Sequence, residues 1–375
     1  MLNSLFISLL LAAAAQAQQK LAFPGAEGFG RFATGGSLDN NCTVTNLNDK
    51  GAGSLRDCLS QAGRTVVFEV GGTIKISERL IIPKSTSILG QTAPSPGITI
   101  YGNGVSASNA DNSIVRYVKI RMGRGGTAKK DALAIADGHN MIFDHISVSW
   151  GRDETFSINT SDGGNITIQD SIVAQGLETH SCGGLMQAPN DINSGISLFR
   201  NLYIDNKTRN PKVKGRNDFR NNVIYNWGSG GGYIAGGDSS GTSEVVIAGN
   251  YFISGPNTGS TKPFVRGNAD HKAFVSDNFY DSDRDGTLNG KALASDSASY
   301  GGCGIVTTDP GFPGPETVLP AAAALERVLA DAGASNFRDG VDAKLIEEVK
   351  SYGESGAFIS DENTGGWAGL VGKPA

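Results

Sequence analysis

Five cations crowd into residues 206–216, NKTRNPKVKGR: Lys207, Arg209, Lys212, Lys214 and Arg216. The chain that carries them is acidic, with a net charge of -5. Carboxylates gather in other segments: Asp131 in KKDALAI, Asp153 and Glu154 in SWGRDETFSI, and Glu178 with His180 in GLETHSCGG. A lone basic run reads most simply as a solvated turn. Set beside clustered carboxylates, it describes a surface able to face a polyanionic chain. A hard divalent cation would then bridge the acids of both partners, since carboxylate oxygens are what Ca²⁺ prefers.

A second acidic stretch, DSDRDGTLNGKA, spans 281–292. Asp281, Asp283, Asp285, Gly286 and Thr287 match positions one, three, five, six and seven of an EF-hand loop, but position twelve is Ala292 instead of the bidentate Glu. The pattern predicts either a weak Ca²⁺ site or an ordinary Asp-Gly turn. Low charge content and a pI near 5.5 argue against nucleic acid as the main partner.

The elements that must position these residues show in a repeat. Two apolar anchors four apart recur as IVRYV, IFDHI, IQDSI, LFRNL, FRNNV, IAGNY and VSDNF, with second anchors Val118, Ile146, Ile172, Leu202, Val223, Tyr251 and Phe279. Their 21- to 30-residue spacing is that of one solenoid coil per unit. Asn201, Asn222, Asn250 and Asn278 precede the last four anchors and predict an amide ladder inside a parallel stack. His145 would hold the same inward position in its own unit. The expected fold is all-β, a right-handed single-stranded parallel β-helix with short C-terminal helices over 320–333 and 341–353. With 52 glycines, the chain suits frequent turns.

Residues 1–17, MLNSLFISLLLAAAAQA, read as a secretory signal, too short to span a bilayer. That leaves 18–375 as one domain, with an N-terminal cap over about 18–70 and a helical C-terminal cap over about 310–375. An extracellular chain without a membrane anchor is expected, with sequons at Asn41, Asn159, Asn165 and Asn206 as glycosylation acceptors. Four cysteines allow three pairings. Cys42 with Cys58 closes a short loop, and leaves Cys182 with Cys303.

Long runs carry a resemblance that covers nearly all of 18–375: AFPGAEGFG, VTNLNDKGAGSLRD, ILGQTAP, VRYVKIRMG, IFDHISVSWGRDETFSIN, AQGLETHSCGGLMQ, RNLYIDNKTRNPKVKG and NNVIYNWG. The chain resembles secreted pectate lyases of polysaccharide lyase family one, and is most similar to the filamentous-fungal pectate lyase C group. The resemblance implies Ca²⁺-dependent β-elimination on polygalacturonate by a monomer. It implies Arg209, in the Arg-x-Pro element, as the base and Lys214 as a substrate contact. Lys212 and His180 are further candidate substrate contacts read from the residues themselves. It implies Asp131 and Asp153 as calcium ligands, joined by Glu154. Ser157 stands where the wider family often has another acid. Pectin lyase action on methyl-esterified chains is one alternative, and a non-catalytic pectin-binding protein is another.

Overall fold

The computed structural model describes residues 19–236 and 241–375, so the expected signal at 1–17 lies outside the described residues. Short strands stack coil upon coil into sheets of eleven, ten and eight strands. Among the named strands of the described residues, pairing is parallel except where Phe279–Asp281 meets Lys291–Ala292. The parallel β-helix read from the repeats is the fold.

The anchors divide between two faces. Ile168, Leu198, Phe219 and Ile247 point into the coil, whereas Ile172, Leu202, Val223 and Tyr251 belong to a second apolar cluster outside it. Successive residues of a strand face opposite sides, and this sheet buries both. In the first two units the frame is shifted by one residue. Ser147 pairs in register with Ile172 and Lys119 with Ser147, so Val118 and Ile146 point inward instead of outward.

That shift corrects the expectation for His145. Ile146 holds the inward position of its coil, while His145 sits in the left-handed turn before it (φ 51°), stacked on Tyr117 at 4.6 Å. The amide ladder itself is present. Asn201 donates to Asn222 (3.1 Å), Asn222 to Asn250 (3.1 Å) and Asn250 to Asn278 (2.8 Å), and the chain of bonds ends on the Tyr300 hydroxyl. Each buried amide thereby finds a partner that water cannot supply.

The ends and flanks differ from the expected caps. Residues 27–30 lie across the outside of the eleven-stranded sheet, where their amides donate to Gln169, Ser197 and Thr167. The N-terminal plug is the short helix α1 (Leu55–Cys58), whose Leu55 and Cys58 enter the core and whose Cys58 is disulfide-bonded to Cys42. Helices α2 (Ala321–Asp331) and α3 (Gly340–Lys350) form where the sequence predicts them. They cover the outer face of the ten-stranded sheet, because Ile172, Leu202 and Val223 leave an apolar stripe there that Leu325, Val328 and Leu345 bury.

Two further expectations fail. Cys182 and Cys303 are free and buried. Cys182 bridges to Thr208, and Cys303 packs near Gly267, at least three coils further on. At roughly 4.8 Å per coil the separation far exceeds the reach of a disulfide. Asn206 is fully buried and its amide nitrogen donates to Val173 O and Asn210 Oδ1, so it offers no acceptor for a glycan. Asn41 and Asn159 are exposed, and Asn165 is half-buried.

Candidate active site

Consecutive coils bring the basic run and the acidic loops together. Asp131 precedes strand Leu133–Ile135, Glu154 precedes Phe156–Asn159, Cys182 precedes Leu185–Gln187 and Arg209 precedes Lys212–Lys214. All four strands lie side by side in the eight-stranded sheet, and isolated bridges join Glu154 to Cys182 and Cys182 to Thr208. Residues far apart in sequence therefore stand about one coil apart in space.

The turn that presents Arg209 is tightly held. Asn206 and Asn210 bond reciprocally at 3.0 Å, and the Arg209 carbonyl accepts from Gly184 N at 2.8 Å. Arg209 adopts a left-handed backbone (φ 57°), uncommon for a residue with a side chain. With its main chain fixed, the guanidinium reaches across to Glu154, with Arg209 Nη1 donating to Glu154 Oε1.

Asp131 is set by three contacts. It accepts from Glu154 N at 3.2 Å and from the Ser157 hydroxyl, while Arg79 Nη1 donates to its main-chain carbonyl at 2.9 Å. Ser157 thus buttresses the carboxylate from the position where a further acid was expected. Asp153 Oδ1 and His180 Nε2 lie 2.9 Å apart, and Lys207 pairs with Glu178 at 3.1 Å. A cleft of about 460 Å³ beside His180 carries Arg124, Lys129 and Arg152 among its walls.

Charge in the cluster is unbalanced. Oxygens of Asp131, Asp153 and Glu154 lie within 4.8 Å of one another; Arg209 pairs with Glu154, and Arg79 acts on Asp131. Burial, reinforced by Asp131 and Asp153 against the opposing pull of Arg209, pushes Glu154 up to about 7. Burial also raises Asp131, against the hydrogen bonds from Ser157 and Glu154 N. Partly buried carboxylates whose charge is under-compensated are the donor set that a hard cation would relieve, so these residues fit Ca²⁺. Arg209 is shifted upward: burial lowers its pKa, but Cys182 and Glu154 outweigh that.

Lys212 and Lys214 point outward from their strand because Val213 between them is in the core. Lys214 is the register partner of Gln187, and Gln187 that of Asn159, along the same outer face. The EF-hand-like residues do not join this site. Asp281 ends a strand and the loop returns through an antiparallel pair, with no helix on either side. Asn289 ties the loop together, donating from its main chain to Asp281 Oδ2 (3.0 Å) and from its side chain to Asp283 (2.9 Å) and Asp285 (3.3 Å), while the buried Asp281 Oδ1 has no hydrogen-bond partner. Thr287 N closes on Asp285 at 2.8 Å, an Asx-type turn.

Cys182 and Arg79 escaped the sequence reading as members of the site. The coil period does align Glu154, Cys182 and Arg209, whose spacings match the repeat, so Cys182 left a signal in the sequence. Arg79 left none, since it acts on a main-chain carbonyl from two coils away.

No family model matches the chain. Its fold is similar to that of a solved pectate lyase bound to hexasaccharide, with a TM-score of 0.61 at 14% identity over 86% of this chain and 100% of that one. It is also similar to jun a 1, the major allergen from cedar pollen, with a TM-score of 0.59 at 16% identity over 82% and 92%. These likenesses define a parallel β-helix of the pectate lyase kind. Sequence relatives are nearer. "Probable pectate lyase C" of Aspergillus flavus is 62% identical over 349 residues, 93% of this chain and 82% of the relative. Its namesake from Neosartorya fischeri is 60% identical over 368 residues, 97% and 86%. The chain belongs to the pectate lyase C family and is a lyase.

Proposed function

We propose that the chain cleaves (1→4)-α-D-galacturonan by calcium-dependent β-elimination, with Arg209 as the base. The observation that carries this reading is the convergence of Arg209 with Asp131, Asp153 and Glu154 on neighbouring coils. Asp131, Asp153 and Glu154 would hold the ion, and calcium bound there supplies positive charge to a uronate carboxylate as the adjacent carbon is deprotonated.

The chain's own residues account for the rest. Lys214 and Lys212, facing out beside Arg209, pair with substrate carboxylates and hold the polymer along the sheet. Cations aimed at developing charge lower the barrier most when they are fixed beforehand, and the Asn206–Asn210 clamp fixes this turn. A neutral Arg209 nitrogen accepts the C5 proton, the C4–oxygen bond breaks with its electron pair leaving on oxygen, which takes a proton from water, and a C4–C5 double bond forms in the new sugar end. With a pKa above about 12 arginine is ordinarily already protonated, so Arg209 must give up a proton before it can take one from the sugar. Parting from Glu154 removes the carboxylate that strengthens its hold on a proton. No helix among the described residues is long and apolar enough to cross a membrane. Secretion and action as a monomer belong to the same proposal.

The test is ultraviolet absorbance of unsaturated uronide products on polygalacturonate, with Ca²⁺ and then with a chelator. A rise that needs both Ca²⁺ and Arg209, lost in Arg209→Ala, supports the proposal. Binding of pectate without any rise would make the protein a non-catalytic binder.

A further inference from the structure

A second donor set of different chemistry adjoins the acidic cluster. Glu154, His180 and Cys182 bring a carboxylate oxygen, an imidazole nitrogen and a thiol sulfur within 4.8 Å of one another. The coil builds this arrangement: Glu154 and Cys182 are bridge partners, and His180 lies two residues before Cys182 on the same turn. Cys182 and Glu154 are buried, whereas the His180 side chain is 45% exposed. The set therefore has a packed floor and one side open to the groove.

Thiol and imidazole are poor partners for Ca²⁺, which takes oxygen ligands, and good ones for zinc-class ions. Zinc bonds of about 2.0–2.3 Å in a tetrahedron place ligand atoms roughly 3.3–3.8 Å apart. Side-chain adjustments of about 1 Å would bring this triad to that spacing, with a fourth position left toward the groove.

We propose that Glu154, His180 and Cys182 form a binding site for a zinc-class divalent cation that competes with calcium for Glu154. As the metal–sulfur bond forms, the Cys182 thiol proton passes to solvent, and no electron is transferred. Engaging Glu154 in this site takes it from Arg209 and from the acidic cluster at once. The competition rests on the calcium reading above, but binding of the softer ion does not.

The direct test is titration with Co²⁺ alone, which reports thiolate ligation by a near-ultraviolet charge-transfer band and tetrahedral geometry by visible bands. Wild type should show both, Zn²⁺ should erase them, and excess Ca²⁺ should weaken the cobalt affinity. Cys182→Ser should lose the near-ultraviolet band and bind about 100-fold more weakly or worse, while Cys303→Ser keeps the wild-type spectrum. A wild-type protein without the near-ultraviolet band, or a Cys303→Ser protein that loses it, would overturn the site; neither outcome depends on how Cys182→Ser folds. Cobalt bands in a protein with no lyase activity would leave the metal site standing and sink the catalytic reading instead.

Discussion

Arg121 and Arg209 each face clustered carboxylates, and the two clusters are built to opposite ends. Arg121 donates to Asp339 at 3.0 Å, to Asp342 at 2.6 Å and to Ser149 at 2.6 Å, with its own side chain and both carboxylates completely buried. Lys119 lies beside it, held by the carbonyls of Phe337 and Pro96, so two cations balance two anions. Arg209 pairs with Glu154, one of three converging acids that have Arg79 as their other guanidinium neighbour, and its side chain is 30% exposed. The closed, neutral network locks α3 onto the sheet. The open, unbalanced one is left with charge for an external partner to compensate, which is how functional sites differ from structural ion pairs.

The largest effect expected is on the closed cluster. Arg121→Ala strands two buried carboxylates and should cost about 3–5 kcal/mol, seen in urea unfolding, while the folded fraction keeps its rate. The open cluster should respond in the other sense. Asp131→Asn should raise the calcium concentration for half-maximal product formation by roughly 10- to 100-fold, yet melting in chelator should not fall, since burial already works against that charge.

A third cluster sharpens the contrast because it is sealed but unbalanced. Asp205 and Glu348 are buried together, with Asn226 donating to Asp205 at 2.6 Å, and burial followed by their mutual repulsion raises Asp205 well above the usual carboxylate range. Burial raises Glu348 as well. With both pKa values higher in the folded than in the unfolded chain, the native state binds more protons, and its stability is full at low pH and declines as pH rises through the folded values. Glu348→Gln should remove part of that decline. A gain of about 1 kcal/mol, or roughly 2–4 °C in melting temperature, is expected at neutral pH and should vanish in acid.

The same contrast explains what the sequence could disclose. Periodicity revealed the coil, the amide ladder and both C-terminal helices, because each repeats or caps a local pattern. It could not say which anchors face inward, since the ten-stranded sheet is buried on both faces and apolar residues then lose their directional meaning. The one-residue shift at Lys119 and Ser147 is visible only once Arg121 and Ser147 are seen to bind Asp342. At the site, the resemblance pointed to Arg209, Asp131, Asp153 and Glu154, and the fold brings them together. A sequon cannot announce that Asn206 is consumed by a turn, nor can cysteine counting place Cys182 and Cys303 coils apart. The Asp281–Asp285 pattern gave a spacing, and the cross-links from Asn289 lay outside what that spacing could show.

The measurement that bears most directly on the account is the elimination rate of Arg209→Lys on polygalacturonate at saturating calcium, with calcium affinity and melting temperature determined alongside. Lysine keeps the charge but neither the reach nor the planar fork of arginine. The rate should fall by about 10²–10⁴, with folding intact and calcium still bound. A variant that turns over at the wild-type rate would show that Arg209 is not the base.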